Sequence, residues 1–99
     1  METDIYQKLE ADFGNCFEEA RDQIDMLDAE TKGLIDNRIL RAIIYLASGN
    51  IEQMKSMIEL ARKDYRDVLW QAEYDCGEEL LRDFNKTFHD LGLMKKKSK

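Results

Sequence analysis

The residues best suited to catalysis or metal binding are few and isolated in this sequence. The chain contains one histidine, His89, and two cysteines, Cys16 and Cys76, and none of them stands at a spacing typical of metal ligands. The sequence suggests no paired base for Ser48 or Ser56, and it has no glycine-rich phosphate-binding loop. We therefore predict no catalytic residue, no cofactor and no metal site, and we expect both thiols to pack as small apolar residues.

One acidic segment, residues 64–70, could bind a metal ion. It places Asp64 and Asp67 in an Asp-x-x-Asp pair that is followed by Val-Leu-Trp on a predicted helix. This segment resembles half of the metal site of the all-α nucleotide pyrophosphatases of the MazG type, in which a Glu-x-x-Glu pair on the preceding helix completes a four-carboxylate Mg²⁺ site. Here Glu52 and Glu59 are each followed at the third position by a basic residue, so the partner motif is missing. The resemblance implies Mg²⁺-dependent nucleotide pyrophosphatase activity as an alternative function.

Arginine, aromatic and acidic residues form two lines that could meet. One line interrupts an apolar helix in mid-chain, and the other lies on a later helix. Because a buried arginine is costly unless a carboxylate meets it, we expect acidic residues of the later helix to face the arginines. Trp, Tyr and Arg also supply most binding hot spots. We predict an interaction surface, with internal packing of the same residues as the alternative: Arg38, Arg41, Tyr45, Arg66, Trp70, Glu73 and Tyr74.

The element that must position these residues is the apolar helix at about residues 34–48. Its apolar positions recur at helical spacing and nearly surround the helix, so it must be buried. We predict a compact all-α bundle of four to five helices around this central helix. Gly49 and Asn50 mark its end and the start of a tight helical hairpin. The apolar positions are Ile35, Ile39, Leu40, Ala42, Ile43, Ile44, Leu46 and Ala47.

The other helices are predicted from the same spacing. Residues 3–28 carry one apolar stripe that Gly14 and Asn15 interrupt, and two helices, about 3–13 and 16–28, are favoured over one kinked helix because Asn15 and Glu18 form a capping-box pattern. A helix over 51–63 follows, and Asp64 is expected to begin another with Tyr65 and Cys76 on its buried side. A last helix, about 78–91, is expected to bury Leu80, Leu81, Phe84 and Phe88.

The distribution of charge restricts the choice of partner. The net charge is −6, but four lysines lie in residues 95–99, so residues 1–94 contain eleven basic and twenty-one acidic residues, a net charge of −10. An acidic body repels phosphate backbones, which argues against duplex nucleic acid. We predict a single helical domain over 1–94 and a disordered basic tail over 95–99. Because neither a signal peptide nor a membrane span is evident, a cytoplasmic location is expected.

These observations favour a function in protein binding. The sequence predicts a non-catalytic protein-interaction module with a protein partner of unknown identity, and a homodimer is one arrangement that would bury the first amphipathic arm. The second hypothesis is an acidic inhibitor of a basic partner, similar in kind to antitoxin and immunity proteins.

Overall fold

The helices of the computed structural model follow the predicted order along most of the chain. The structure describes residues 3–32 and 34–94, and within them it contains no strand. The elements are α1 (Thr3–Phe13), a 3₁₀ turn (Gly14–Cys16), α2 (Phe17–Thr31), α3 (Asn37–Ala47) and α4 (Ile51–Tyr74). The predicted all-α class is therefore confirmed. The predicted disordered tail, residues 95–99, lies outside the described residues.

Helix α3 is shorter than the predicted central helix. It begins at Asn37 because the Asp36 carboxylate accepts a hydrogen bond from the Ile39 backbone N–H at 3.2 Å, and Leu34 is exposed before it. Most of its side chains are nevertheless buried, and α3 packs most extensively against α4. Its apolar buried residues are Ile39, Leu40, Ala42, Ile43, Ile44 and Ala47.

The hairpin between α3 and α4 forms as predicted. The Asn50 side chain accepts a hydrogen bond from the Gln53 backbone N–H at 2.9 Å and so caps α4. Gly49 has a φ of +79°, and a Cβ atom built on it would lie 2.4 Å from the backbone oxygen of Asp12. Only glycine therefore allows the hairpin to approach the end of α1 this closely.

The two helices predicted on either side of Asp64 join into α4, with a local break at that residue. Asp64 has φ −160° and ψ 98°, and its carboxylate accepts a hydrogen bond from the Arg66 backbone N–H at 3.0 Å. This capping bond restarts the helix, as the sequence predicts. Tyr65 is exposed, however, so the prediction that it is buried is wrong.

The first arm consists of two helices joined by the 3₁₀ turn, as favoured, but its details differ from the prediction. Helix α2 begins at Phe17, and the residue before it, Cys16, makes no side-chain capping bond, so the predicted Asn15 cap is not formed. Cys16 and Cys76 are both exposed, because the first lies in the turn and the second lies beyond the end of α4.

Among the described residues, none of the helices combines the length and the apolar content that a bilayer crossing requires.

The predicted helix over 78–91 is absent. The last described stretch, residues 75–94, consists of turns and bends and is called the C-terminal segment below. Phe84 and Phe88 are buried as expected, whereas Leu80 and Leu81 are exposed. The segment packs on the helices through these two aromatic side chains and through the polar contacts described next.

Candidate functional site

Arg38 and Glu73 join α3 to α4 through a bidentate ion pair. The Arg38 Nε and Nη2 atoms lie 2.9 Å and 2.5 Å from the two carboxylate oxygens of Glu73, which is fully buried. These hydrogen bonds raise the pKa of Arg38 above its ordinary value. The predicted contact between the α3 arginines and an α4 carboxylate therefore occurs at this pair.

Arg41 binds a carboxylate that the sequence did not indicate. Its Nε and Nη2 atoms lie 3.0 Å and 3.1 Å from the oxygens of Asp4 at the start of α1, and both side chains are buried. Burial by itself would raise the pKa of Asp4. The hydrogen bonds from Arg41 and from the Phe88 backbone N–H outweigh burial, so the pKa of Asp4 is lowered below its ordinary value of 3.8.

The same two carboxylates hold the C-terminal segment in place. The Phe84 backbone N–H donates to Glu73 and the Phe88 backbone N–H donates to Asp4, each at 2.9 Å. Arg41 also donates to the backbone oxygen of Phe84 at 3.0 Å. Because these backbone groups bind side chains of other elements, they are not used in the predicted helix over 78–91. The two ion pairs thus form a buried polar clamp, consisting of Arg38, Arg41, Asp4 and Glu73.

The clamp corrects part of the predicted interaction surface. Arg41 is 2% exposed and Glu73 is 0% exposed, so neither side chain can contact a partner, and their inclusion in the surface is wrong. They are internal because each satisfies a buried group of opposite charge, which is the alternative that the sequence left open. Arg38 and Tyr45 are half-buried.

Tyr45 is covered by the C-terminal segment. Its ring centroid lies 5.3 Å from that of Phe84, and the Arg82 guanidinium lies 4.8 Å from the Tyr45 centroid. Arg82 also donates to the Ala72 backbone oxygen at 2.9 Å and binds Asp75 at 2.7 Å. Arg82 therefore fastens the start of the segment to the end of α4, and Tyr45 packs beneath it.

An open depression of about 260 Å³ lies where α1, the end of α3 and the end of the C-terminal segment meet. Lys8 donates to the Leu93 backbone oxygen at 2.8 Å and lies 3.2 Å from the Asp12 carboxylate. Its ammonium group thus binds the protein's own acceptors. Through these contacts, Lys8 attaches the last described residues to α1.

The remaining predicted residues follow one another at intervals of one turn along the second half of α4. They are Arg66, Trp70 and Tyr74. Trp70 is 47% exposed, and its indole Nε1 donates to the Gly77 backbone oxygen at 3.0 Å. Arg66 is exposed and binds Asp64, and Tyr74 is half-buried. The hydrogen bond to Gly77 fixes the orientation of the indole while about half of it stays in contact with solvent.

Two leucines that sequence reasoning placed in the core lie beside this part of α4. Leu80 and Leu81 are 50% and 53% exposed, and the Leu81 backbone N–H donates to the Glu73 backbone oxygen at 2.7 Å. This bond places them at the same end of α4 as Trp70. We call Trp70, Tyr74, Leu80 and Leu81 the Trp70 surface. Helical spacing misassigned the leucines, and no sequence signal marks them as exposed.

The residues considered for metal binding do not form a cluster. In the described ranges 3–32 and 34–94, no group of three or more His, Cys, Asp or Glu side chains is placed to hold one metal ion. The Asp64 carboxylate binds Arg66, which lowers the pKa of Asp64, and Asp67 lies nearby on the exposed side. The His89 ring nitrogen Nε2 lies 2.8 Å from the Gln7 side-chain oxygen.

Comparison of the chain with models of protein families, with curated proteins and with solved structures found no match.

Proposed function

We propose that this protein is a non-catalytic protein-interaction module that binds its partner through the Trp70 surface. The observation that carries the proposal is the half-exposed indole of Trp70, held in one orientation by its bond to Gly77. A large aromatic group that is already ordered loses little conformational entropy on binding, which is why tryptophan is enriched among hot spots. Leu80 and Leu81 add exposed apolar area at the same end of α4.

The polar clamp supports this proposal by positioning the surface. Leu80 and Leu81 lie in a segment of turns and bends and not in a regular helix, so their place depends on the contacts that hold that segment against α4. Glu73 supplies several of these contacts, because its backbone oxygen accepts from Leu81 and its carboxylate accepts from Phe84. Arg38 holds the Glu73 carboxylate in place through two hydrogen bonds. The clamp thus acts as the support of the Trp70 surface and is not part of it.

The experiment that tests the proposal is a pull-down from the native host, in which the intact protein is compared with a Trp70→Ala, Tyr74→Ala double variant. We expect the double variant to lose specific partners that mass spectrometry identifies with the intact protein. Met26→Ala serves as the matched control, because Met26 is an equally exposed apolar residue on α2. Capture of the same proteins in the same amounts by the double variant would refute the proposal.

A second candidate function is inhibition of a basic protein, and the net charge of −10 over residues 1–94 favours it. The two functions differ in their dependence on salt. An inhibitor steered by charge loses association rate steeply as ionic strength rises, whereas an interface centred on Trp70 keeps the larger, apolar part of its affinity at high salt. Association rates measured with a captured partner at low and high salt distinguish them.

A further inference from the structure

The stretch of chain that carries the Trp70 surface has a net negative charge. Residues 64–83 contain seven acidic and two basic residues. Glu73 is buried and is neutralised by Arg38, and the other eight charged residues have a net charge of −4. Both basic residues of the stretch, Arg66 and Arg82, already bind carboxylates of the chain.

Two acidic residues next to the exposed leucines form no ion pair with the residues that the structure describes. Glu78 and Glu79 are exposed, and neither forms a salt bridge within residues 3–32 and 34–94. They follow Gly77, whose backbone oxygen binds the Trp70 indole, and they directly precede Leu80. The apolar groups of this surface therefore have two carboxylates beside them that can form ion pairs with an incoming molecule.

From this arrangement we infer that the occupant of the Trp70 surface is a cationic protein segment that carries both apolar and Lys or Arg side chains. The inference rests on the proposed function and specifies its partner. Apolar side chains of the segment would cover Trp70 and Leu81, and its cations would pair with Glu78 and Glu79. A second copy of this chain is a poor occupant, because a symmetric dimer would bring together two copies of residues 64–83, each with a net charge of −4 apart from the neutralised Glu73.

Trp70 itself provides the measurement, because it is the only tryptophan of the chain. The probe is a short Trp-free peptide of leucine and lysine with helical spacing. Matched peptides carry glutamate in place of lysine, or the same leucine and lysine composition in scrambled order. We expect the leucine–lysine peptide to shift Trp70 emission to shorter wavelength, and the other two to bind at least tenfold more weakly.

Variants test the charge argument at positions where folding is not at risk. With a fluorescein-labelled peptide, Glu78→Gln combined with Glu79→Gln is expected to weaken binding about five- to tenfold at low salt. The control variant combines Glu10→Gln on α1 with Glu18→Gln on α2. It changes the net charge by the same amount as the Glu78 and Glu79 variant and is expected to change binding less than twofold. Trp70→Ala, with its helical content checked by circular dichroism, is expected to weaken binding about thirtyfold.

The results that would overturn the inference are distinct from those that would refute the proposed function. Trp70-dependent binding of the leucine–glutamate peptide would keep the surface as a binding site but exclude a cationic occupant. The inference would also be overturned if the scrambled peptide bound as tightly as the leucine–lysine peptide, or if the two glutamate double variants lost binding to the same extent. A Trp70 emission that no peptide shifts would overturn it as well. Concentration-dependent dimerisation that Trp70→Ala abolishes would assign the surface to a second copy. The pull-down with the Trp70→Ala, Tyr74→Ala variant tests the proposed function independently of these outcomes.

Discussion

Replacing Asp4 by asparagine tests the role of the buried polar clamp in stability. The Asp4 carboxylate accepts two hydrogen bonds from Arg41 and one from the Phe88 backbone N–H, and its side chain is only 5% exposed. Asparagine has the same shape but one acceptor oxygen in place of two, so an amide N–H would face a guanidinium donor. Loss of one partner of a buried ion pair costs about 3–5 kcal/mol.

This cost is large compared with the whole stability of a small domain, which is about 5–15 kcal/mol. We expect Asp4→Asn to lower the free energy of unfolding by about 3–5 kcal/mol. Urea unfolding followed by circular dichroism measures the loss. With an m value of about 1.5 kcal/mol/M, the midpoint falls by roughly 2–3 M. Asp22→Asn is the control, because Asp22 is exposed and its carboxylate lies 3.7 Å from the Arg21 guanidinium. This substitution is expected to lower the free energy of unfolding by less than about 0.5 kcal/mol.

A double variant separates the ion pair from its surroundings. If Asp4 and Arg41 stabilise the fold mainly by compensating each other's charge, Asp4→Asn combined with Arg41→Met should cost less than the sum of the two single variants. A loss below about 1 kcal/mol for Asp4→Asn, or strictly additive losses, would refute the assignment of this pair as a main support of the C-terminal segment.

Two further predictions concern pH and backbone geometry. Because the pKa of Asp4 is lowered in the folded state, its contribution to stability is fully present above its ordinary value of 3.8 and is lost as pH falls through the lower, folded-state pKa. Acid titration of thermal unfolding below about pH 4 should therefore show a shallower decline for Asp4→Asn than for the intact protein, and equal slopes would contradict this. Gly49→Ala should lower stability by about 2 kcal/mol or more, because φ is +79° and the new Cβ would meet the Asp12 backbone oxygen. Gly14→Ala, with φ +50° and no atom within 4 Å, should cost only about 1 kcal/mol, and calorimetry that finds equal losses would contradict the close approach.

The helices and their ends could be predicted to a large extent from local sequence. The apolar spacing that indicates α3 is local, and so are the caps, since Asn50 binds Gln53 three residues away and Asp64 binds Arg66 two residues away. Such interactions need no knowledge of the rest of the chain. This is why the hairpin and the break in α4 were predicted correctly.

The candidate site was only partly predictable. Because a buried arginine needs a carboxylate, the pair of Arg38 and Glu73 could be predicted, although the two residues lie 35 positions apart in sequence. Asp4 could not be chosen in this way for Arg41 among the twenty-one acidic residues of the chain. The choice depends on where the start of α1 lies relative to α3, which is a property of helix packing.

The sequence by itself determined the all-α class, the hairpin at Gly49 and Asn50 and the acidic character of the protein, because these follow from residue type and from spacing within one or two helical turns. Only the tertiary structure decided the conformation of residues 75–94. Their apolar spacing is that of a helix, but Glu73 and Asp4 accept the backbone N–H groups of Phe84 and Phe88. Buried carboxylates require donors, and these two take donors from a segment in which Leu80 and Leu81 stay exposed.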